Sequence, residues 1–408
     1  MVKKGYKQTE VGVIPGKWKD KKLGDVGKVC MCKRIFANQT SNTGEVPFFK
    51  IGTFGKEADA YISKGLYEDY KQRFSYPQKG DVLISAAGTL GRTIVFEGKD
   101  AYFQDSNIVW LATDKELLCN EYLYHYYKVI KWGASEGSTI ARLYNGIICN
   151  THIALPDVEE QKQIATVLSE IDELISLTEK QISKKKAIKQ GAMQELLTGK
   201  RRLPGFSGEW ETRTLHEISN EMVDGPFGSN LKTEHYTTER QVRIIQLSNI
   251  GEAGWNNANV KYTTFSHAAE LQRCIVQPGS ILIAKMMPAG RAIICPDNEK
   301  SYILGSDVVK VVPNSSVDSR YLVYATKSRF YLDQIADDTQ GSTRARTSVS
   351  KLRKTAILFP EKDEQISIAD ILSEMDMEIA ALEGKIAKYR QIKQGMMQQL
   401  LTGKIRLV

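Results

Sequence analysis

The stretch Ile188–Lys200, IKQGAMQELLTGK, returns as Ile392–Lys404, IKQGMMQQLLTGK, and every other segment is read from that repetition. Extended backwards without a gap, it pairs Glu160-Gln161 with Glu364-Gln365 and Leu168-Ser169-Glu170 with Leu372-Ser373-Glu374. More than half of the aligned positions are identical, which chance does not produce, so the chain is a duplication with a long period. Upstream the repeat is fainter and slips in register. Gly137-Ser138-Thr139 and Ala141-Arg142 answer Gly341-Ser342-Thr343 and Ala345-Arg346; Leu155-Pro156 answers Phe359-Pro360, Gly91-Arg92 answers Gly290-Arg291, and Trp18 with Leu23 answers Trp210 with Leu215. The repeating unit is a variable globular part followed by a near-duplicated helix. The division is residues 1–155, 156–203, 204–358 and 359–408: first globular domain, central helical segment, second globular domain, C-terminal helical segment.

The duplicated segments carry a coiled-coil seam, with apolar residues stepping alternately by three and four. In the second copy these are Ile368, Leu372, Met375, Ile379, Leu382 and Ile386, followed by Tyr389; in the first they are Ile164, Leu168, Ile171, Ile175 and Ile182, with Thr178 interrupting. Asp157 after Pro156, with Glu160 three positions on, reads as an N-terminal cap, and Gly199 and Gly403 sit where a helix ends on glycine. Roughly 40 residues at 1.5 Å each make a rod on the order of 60 Å. The two seams can bury each other, pack on their own domains, or pair between chains. An antiparallel pairing within the chain would put one globular domain near each end, related by a pseudo-two-fold axis. Gly191 and Gly395, inside the helical pattern, point to close approach of another backbone or to a kink.

The globular parts read as mixed α/β. Short apolar runs after glycine-containing turns, Asp81–Ser85 and Ser280–Ile283, read as strands, while Asn120–Tyr124 and Ser319–Val323 open helices.

A chain of 408 residues suits two domains with connecting structure. Net charge is +8, and residues 1–35 hold ten Lys or Arg against three acids, a local excess suited to a polyanion and equally to a solvated surface. Six cysteines are scattered, and Cys30-x-Cys32 lacks the neighbouring ligands of a zinc site. No apolar run is long enough to span a membrane, and a reducing cytoplasmic compartment is expected.

Catalytic constellations are missing. The five histidines form no metal pattern, there is no phosphate-binding loop, and Gly52-Thr53-Phe54-Gly55-Lys56 lacks both its spacing and its hydroxyl. There is no serine elbow and no Pro-Pro dipeptide of the kind an adenine methyltransferase motif needs; Pro296-Asp297-Asn298-Glu299-Lys300 is too short to hold a metal as a nuclease does. Side chains able to read base edges or hold phosphates are better represented. In the first domain they are Lys33, Arg34, Asn38, Gln39, Lys50, Arg92 and Arg142; in the second, Ser229, Asn230, Lys232, Lys285, Arg291, Arg344 and Arg346. The Gly-Ser-Thr-x-Ala-Arg element present in both copies can grip phosphate or, since it precedes the helix each time, anchor the helix root.

With these features assembled, the chain resembles the specificity subunits of type I restriction–modification enzymes over essentially its whole length. The resemblance lies in Leu155-Pro156 through Glu160-Gln161, Ile164-Ala165 and Leu168, in Phe359-Pro360 through Glu364-Gln365, Ile368-Ala369 and Leu372, and in the two IKQG…LLTGK endings. Asp224-Gly225-Pro226-Phe227-Gly228-Ser229, Gly80-Asp81-Val82-Leu83-Ile84 and the opening from Tyr6-Lys7 to Val13-Ile14-Pro15 with Trp18 are similar to the family's pattern as well. The first domain departs from it in lacking a Gly-Pro-Phe-Gly counterpart, and the second carries Gly279-Ser280 where the first has Gly80-Asp81. The resemblance implies a non-catalytic subunit in which each domain reads one half of an interrupted double-stranded DNA site. The paired helices would set the unread spacer and dock two methylation subunits, which carry S-adenosylmethionine and modify adenine. Restriction subunits, translocating DNA with ATP and Mg, can join them. No cofactor, metal or membrane is expected on this chain itself. The competing readings are a coiled-coil scaffold that binds only protein and a self-contained DNA-modifying enzyme.

Overall fold

The computed structural model describes residues 2–133, 142–339 and 345–407. The chain divides into two compact units, Met1–Glu179 with Gly384–Val408, and Lys180–Glu383. Two helices of 39 residues, Val158–Leu196 and Lys362–Leu400, therefore each contribute their first part to one unit and their last part to the other.

Both units are mixed α/β, built around an antiparallel four-stranded sheet. In the first its order is Gly27–Cys30, Ile108–Thr113, Val82–Ser85, Thr93–Val95; in the second it is Ser219–Asp224, Val308–Pro313, Ile281–Ala284, Ala292–Ile294. The runs read as strands are Val82–Ser85 and Ile281–Ala284, and the expected helices are Asn120–Tyr127 and Ser319–Ala325. Every residue of both strands is buried, as in a sheet covered on both faces. Alternate side chains feed two different cores. Val82 and Ile84 join Trp18, Tyr122 and Leu168, while Leu83 joins Phe48, Tyr102 and Trp110. Ile281 and Ile283 likewise join Leu215, Tyr321 and Leu372, while Leu282 joins Cys274 and Ile303. The inner core of each unit is closed by the end of a long helix: Leu400 and Leu401 in the first, Leu196 and Leu197 in the second.

Of the seam residues, Ile164, Leu168, Ile171, Ile182, Ile368, Leu372, Ile379 and Ile386 are buried, and Ile175, Met375 and Leu382 are half-buried. Thr178 is buried too, its hydroxyl turned back onto the carbonyl of Leu174 at 2.7 Å. The ion pairs beside the seam repeat. In the first unit Lys393 meets Asp172, and Arg390 meets Glu179 at 2.7 Å; in the second Lys189 meets Asp376, and Lys186 meets Glu383 at 2.7 Å. A further pair in the second unit, Lys185 with Glu378 at 2.6 Å, has no counterpart in the first.

Asp157 caps its helix as expected, its carboxylate accepting from the Glu160 backbone N–H at 2.9 Å. Gly199 and Gly403 end the helices with φ of 68° and 66°, the left-handed conformation that glycine adopts without penalty. Of the two readings of Gly191 and Gly395, close approach of another backbone is not seen: a Cβ at either would meet nothing within 4 Å.

The sequence reading missed a clamp at the root of each long helix. Glu160 is fully buried, accepting from Trp18 Nε1 at 2.9 Å and held by the Arg406 guanidinium, with Nη2 at 2.6 Å. Glu364 accepts from Trp210 Nε1 at 2.9 Å and from Arg202 at 2.7 and 2.8 Å. Two charge-assisted bonds and an indole N–H satisfy a carboxylate that would otherwise be costly to bury. The adjacent glutamines tie the helix to the globular part. Gln161 bonds the backbone of Cys119, Leu117 and Pro156; Gln365 bonds that of Asp318, Ser316 and Pro360.

Candidate nucleic-acid interface

In each unit the sheet positions one arginine-anchored loop. The loop after Val82–Ser85 pairs at Ala87 with Arg142, whose guanidinium donates to Asn107 Oδ1 at 2.8 Å. The loop after Ile281–Ala284 pairs at Met286 with Arg346, whose guanidinium lies 2.7 Å from Asp307. The arginine that ends each Gly-Ser-Thr-x-Ala-Arg element thus fastens the loop to the start of the neighbouring strand. The Gly-Ser-Thr portions, with Arg344, lie outside the described residues. A glycine closes each loop: a Cβ at Gly290 would come within 2.8 Å of Ile335, and one at Gly91 within 2.3 Å of the Trp132 ring.

The other expected DNA-contacting residues fall into two groups. Lys33, Arg34, Asn38, Ser229, Asn230 and Lys232 are exposed. Lys33 stands 5.1 Å over the Phe74 ring, Arg34 pairs with Asp105 at 2.9 Å, and Lys232 lies 3.5 Å from Glu234. Lys50 is half-buried and pairs with Asp59 at 2.9 Å. Gln39 serves its own turn, accepting from the Phe36 N–H at 2.9 Å. Arg92 Nη1 reaches the Phe54 carbonyl at 2.8 Å, and Arg291 Nη2 the Met287 carbonyl at 3.0 Å, so both guanidinium groups hold loops in place. Lys285 is buried, its ammonium 2.5 Å from Asp224 Oδ1. Among the described residues no group of three or more His, Cys, Asp or Glu could hold a metal ion, and no helix is long and apolar enough to cross a membrane.

Residues 15–186 and 208–389 each match the model of the type I restriction modification DNA specificity domain. The chain belongs to this family. Its members are the non-catalytic, DNA-sequence-specificity subunits of type I restriction–modification systems, the catalytic activities residing on other subunits. Among relatives, the specificity subunit of the MjaIX type I restriction enzyme from Methanocaldococcus jannaschii is 23% identical over 98% of this chain and 96% of its own length. The MjaVIII specificity subunit of the same organism is 26% identical over 80% and 77%. A Haemophilus influenzae sequence that carries the name of a type I specificity subunit is 56% identical over 158 residues, 38% of this chain and 41% of that relative. The fold is that of the type I S subunit from M. genitalium, with a TM-score of 0.60 at 15% identity over 94% of this specificity subunit and 96% of that one. A chain from a structure on complex assembly and conformational transition of the type I system gives 0.59 at 15% identity, covering 96% and 99%.

Proposed function

We propose that this specificity subunit reads a bipartite double-stranded DNA site, one half with each unit, and scaffolds two methylation subunits, to which restriction subunits can add. The repeated ion pairs carry the reading: Asp172–Lys393 with Glu179–Arg390 in one unit, and Asp376–Lys189 with Glu383–Lys186 in the other. All four pairs follow from one rule if the two long helices zip against each other as an antiparallel coiled coil with pseudo-two-fold symmetry. Two reading heads on one rod can then address grooves about one helical turn, roughly 34 Å, apart, and their linkage raises overall affinity through effective concentration. Leu174 and Leu177, 45% and 53% exposed on the first long helix, and Met377, 66% exposed on the second, give the rod an apolar outer surface for partner subunits. S-adenosylmethionine, ATP and Mg would reside on those partners, in the cytoplasm.

The test is exchange of residues 1–155 for the corresponding domain of another specificity subunit, with co-expression of a methylation subunit and sequencing of methylated adenines in host DNA. One half-site should change while the other half persists. A change in both halves, or methyl transfer by the chain without a methylation subunit, would overturn the proposal.

A further inference from the structure

The duplication supplies an internal control, because it reveals which side chains differ where the framework does not. Strands Val46–Phe49 and Val242–Ile245 pair in parallel with Tyr102–Phe103 and Tyr302–Leu304. The next residue is Lys50 in one unit and Gln246 in the other, and the turn that follows closes in the same way. The Lys50 N–H donates to Thr53 Oγ1 at 3.0 Å, and the Gln246 N–H to Asn249 Oδ1 at 2.8 Å. Two residues beyond the start of each arginine-anchored loop, Gly88 with φ of 66° corresponds to Met287 with φ of 58°. Glycine takes this left-handed conformation freely, whereas a side chain of ordinary bulk is strained there. Met287 is nevertheless 72% exposed, so no burial compensates the strain. Backbone strain of this kind clusters at ligand-contacting sites.

Gln246 and Met287 line one pocket of about 460 Å³, together with Asn259, Lys261, Ser306 and Asp307. Buried Asn249 holds the segment that leads into Asn259, donating to the carbonyls of Asn256 at 2.9 Å and Ala258 at 2.8 Å. Asn259, with φ of 53°, and Lys261 are exposed. Among the described residues neither the Asn259 carboxamide nor the Lys261 ammonium has a hydrogen-bonding or ionic partner, and Gln246 is half-buried at the pocket wall. Lys50, by contrast, is already paired with Asp59.

We propose that Gln246, Asn259, Lys261 and Met287 form the base-reading site for the second unit's half of the DNA target. A carboxamide offers one donor and one acceptor, the complement of the adenine N6/N7 edge in the major groove; lysine suits guanine O6/N7, and an apolar side chain suits a thymine methyl. Gln246 and Asn259 take a purine edge, and Met287 packs on the adjacent base. The first unit, with Lys50 and Gly88 at the matching positions, reads different chemistry.

This inference rests on the DNA-reading proposal above, and its test keeps the two apart. The full-length chain, wild type, Gln246→Lys or Met287→Gly, is co-expressed with a methylation subunit in a host without other adenine methylation, and methylated positions are sequenced. Gln246→Lys should change base preference about tenfold or more at one position of one half-site, with the other half-site and the spacer unchanged. Met287→Gly should relax discrimination several-fold at a neighbouring position. Asn259→Ser, in an exposed loop, carries the same test if Gln246→Lys lowers the melting temperature. Variants that methylate the wild-type sites at unchanged relative levels would overturn the inference alone. A wild-type chain that directs methylation to no sequence motif would overturn the reading on which it rests.

Discussion

The two units agree where they grip their long helices and differ where their loops end in open space. Trp18, Glu160 and Arg406 in one do what Trp210, Glu364 and Arg202 do in the other, to within 0.1 Å at the indole bond. Just past one strand Lys50 corresponds to Gln246, and in the arginine-anchored loop Gly88 corresponds to Met287. Duplicated surfaces that met the same neighbour kept their side chains. At the diverged positions the surroundings differ as well: Lys50 is paired with Asp59, and Gln246 lines an open pocket.

The largest predicted effect is at the clamp. Glu160→Gln removes the charge that holds Arg406 and should cost unit 1 roughly 2–3 kcal/mol, read as a lower unfolding temperature and faster amide exchange in Val158–Glu179. Glu364→Gln should act in the same direction on unit 2. Equal loss of protection in both units from either substitution would break the comparison.

One difference lies within the conserved grip and sharpens it. His125 Nε2 stands 2.9 Å from Ser169 Oγ and its Nδ1 4.0 Å from Asp172; the matching Tyr324 lies 3.3 Å from Ser373 and donates to Asp376 at 2.8 Å. Burial, aided by Lys128 and opposed by Asp172, lowers the His125 pKa to about 4. Burial works against the Asp172 carboxylate, yet Lys393 and Lys128 hold it below the usual range. Unfolded, His125 binds a proton near pH 6.5; folded, it does so only near 4. Between those values the unfolded chain holds more protons, so the stability contributed by neutral His125 is lost as pH falls through that window. The loss should reach roughly 2–3 kcal/mol near pH 4. Tyr324 does not titrate there, so acid should weaken unit 1 in a way that His125→Tyr removes. Chemical denaturation between pH 7 and 4.5 checks this, and identical slopes for wild type and variant would rule it out.

The smallest effect is at Met287. Replacement by Gly relieves the left-handed backbone, worth about 1 kcal/mol, against a similar entropy cost in the unfolded chain. Stability should therefore hold or rise slightly while base discrimination relaxes. A marked fall in melting temperature would mean that Met287 supports the fold.

Much of the architecture was legible because repetition amplifies it. The seam from Ile164 to Ile182 and from Ile368 to Ile386, the cap at Asp157 and the terminal glycines all obey local rules of periodicity and backbone conformation. The clamp was hidden because Arg406 and Glu160 are 246 residues apart. A signal was available all the same: Arg202 and Arg406 recur at the same interval as Glu160 and Glu364. The interface was only partly legible. Lys285 and Arg92 carry the right chemistry for DNA, but burial or a backbone carbonyl claims them, and composition cannot reveal that. Gln246 escaped notice because its meaning depends on the turn held by Asn249 and on Met287, brought beside it by a different strand.

The make-up of unit 1 also bears on the order of folding during synthesis. Residues Lys180–Glu383 are contiguous, so unit 2 has all its parts as soon as they leave the ribosome. Unit 1 must wait: Trp18 and Glu160 are made before unit 2, but Arg406 and the Gly403 carbonyl, to which Tyr6 donates at 3.0 Å, are made only after it. The half that is translated first is the last to close, and until then its inner core lacks Leu400 and Leu401 and stands open to chaperones and proteases.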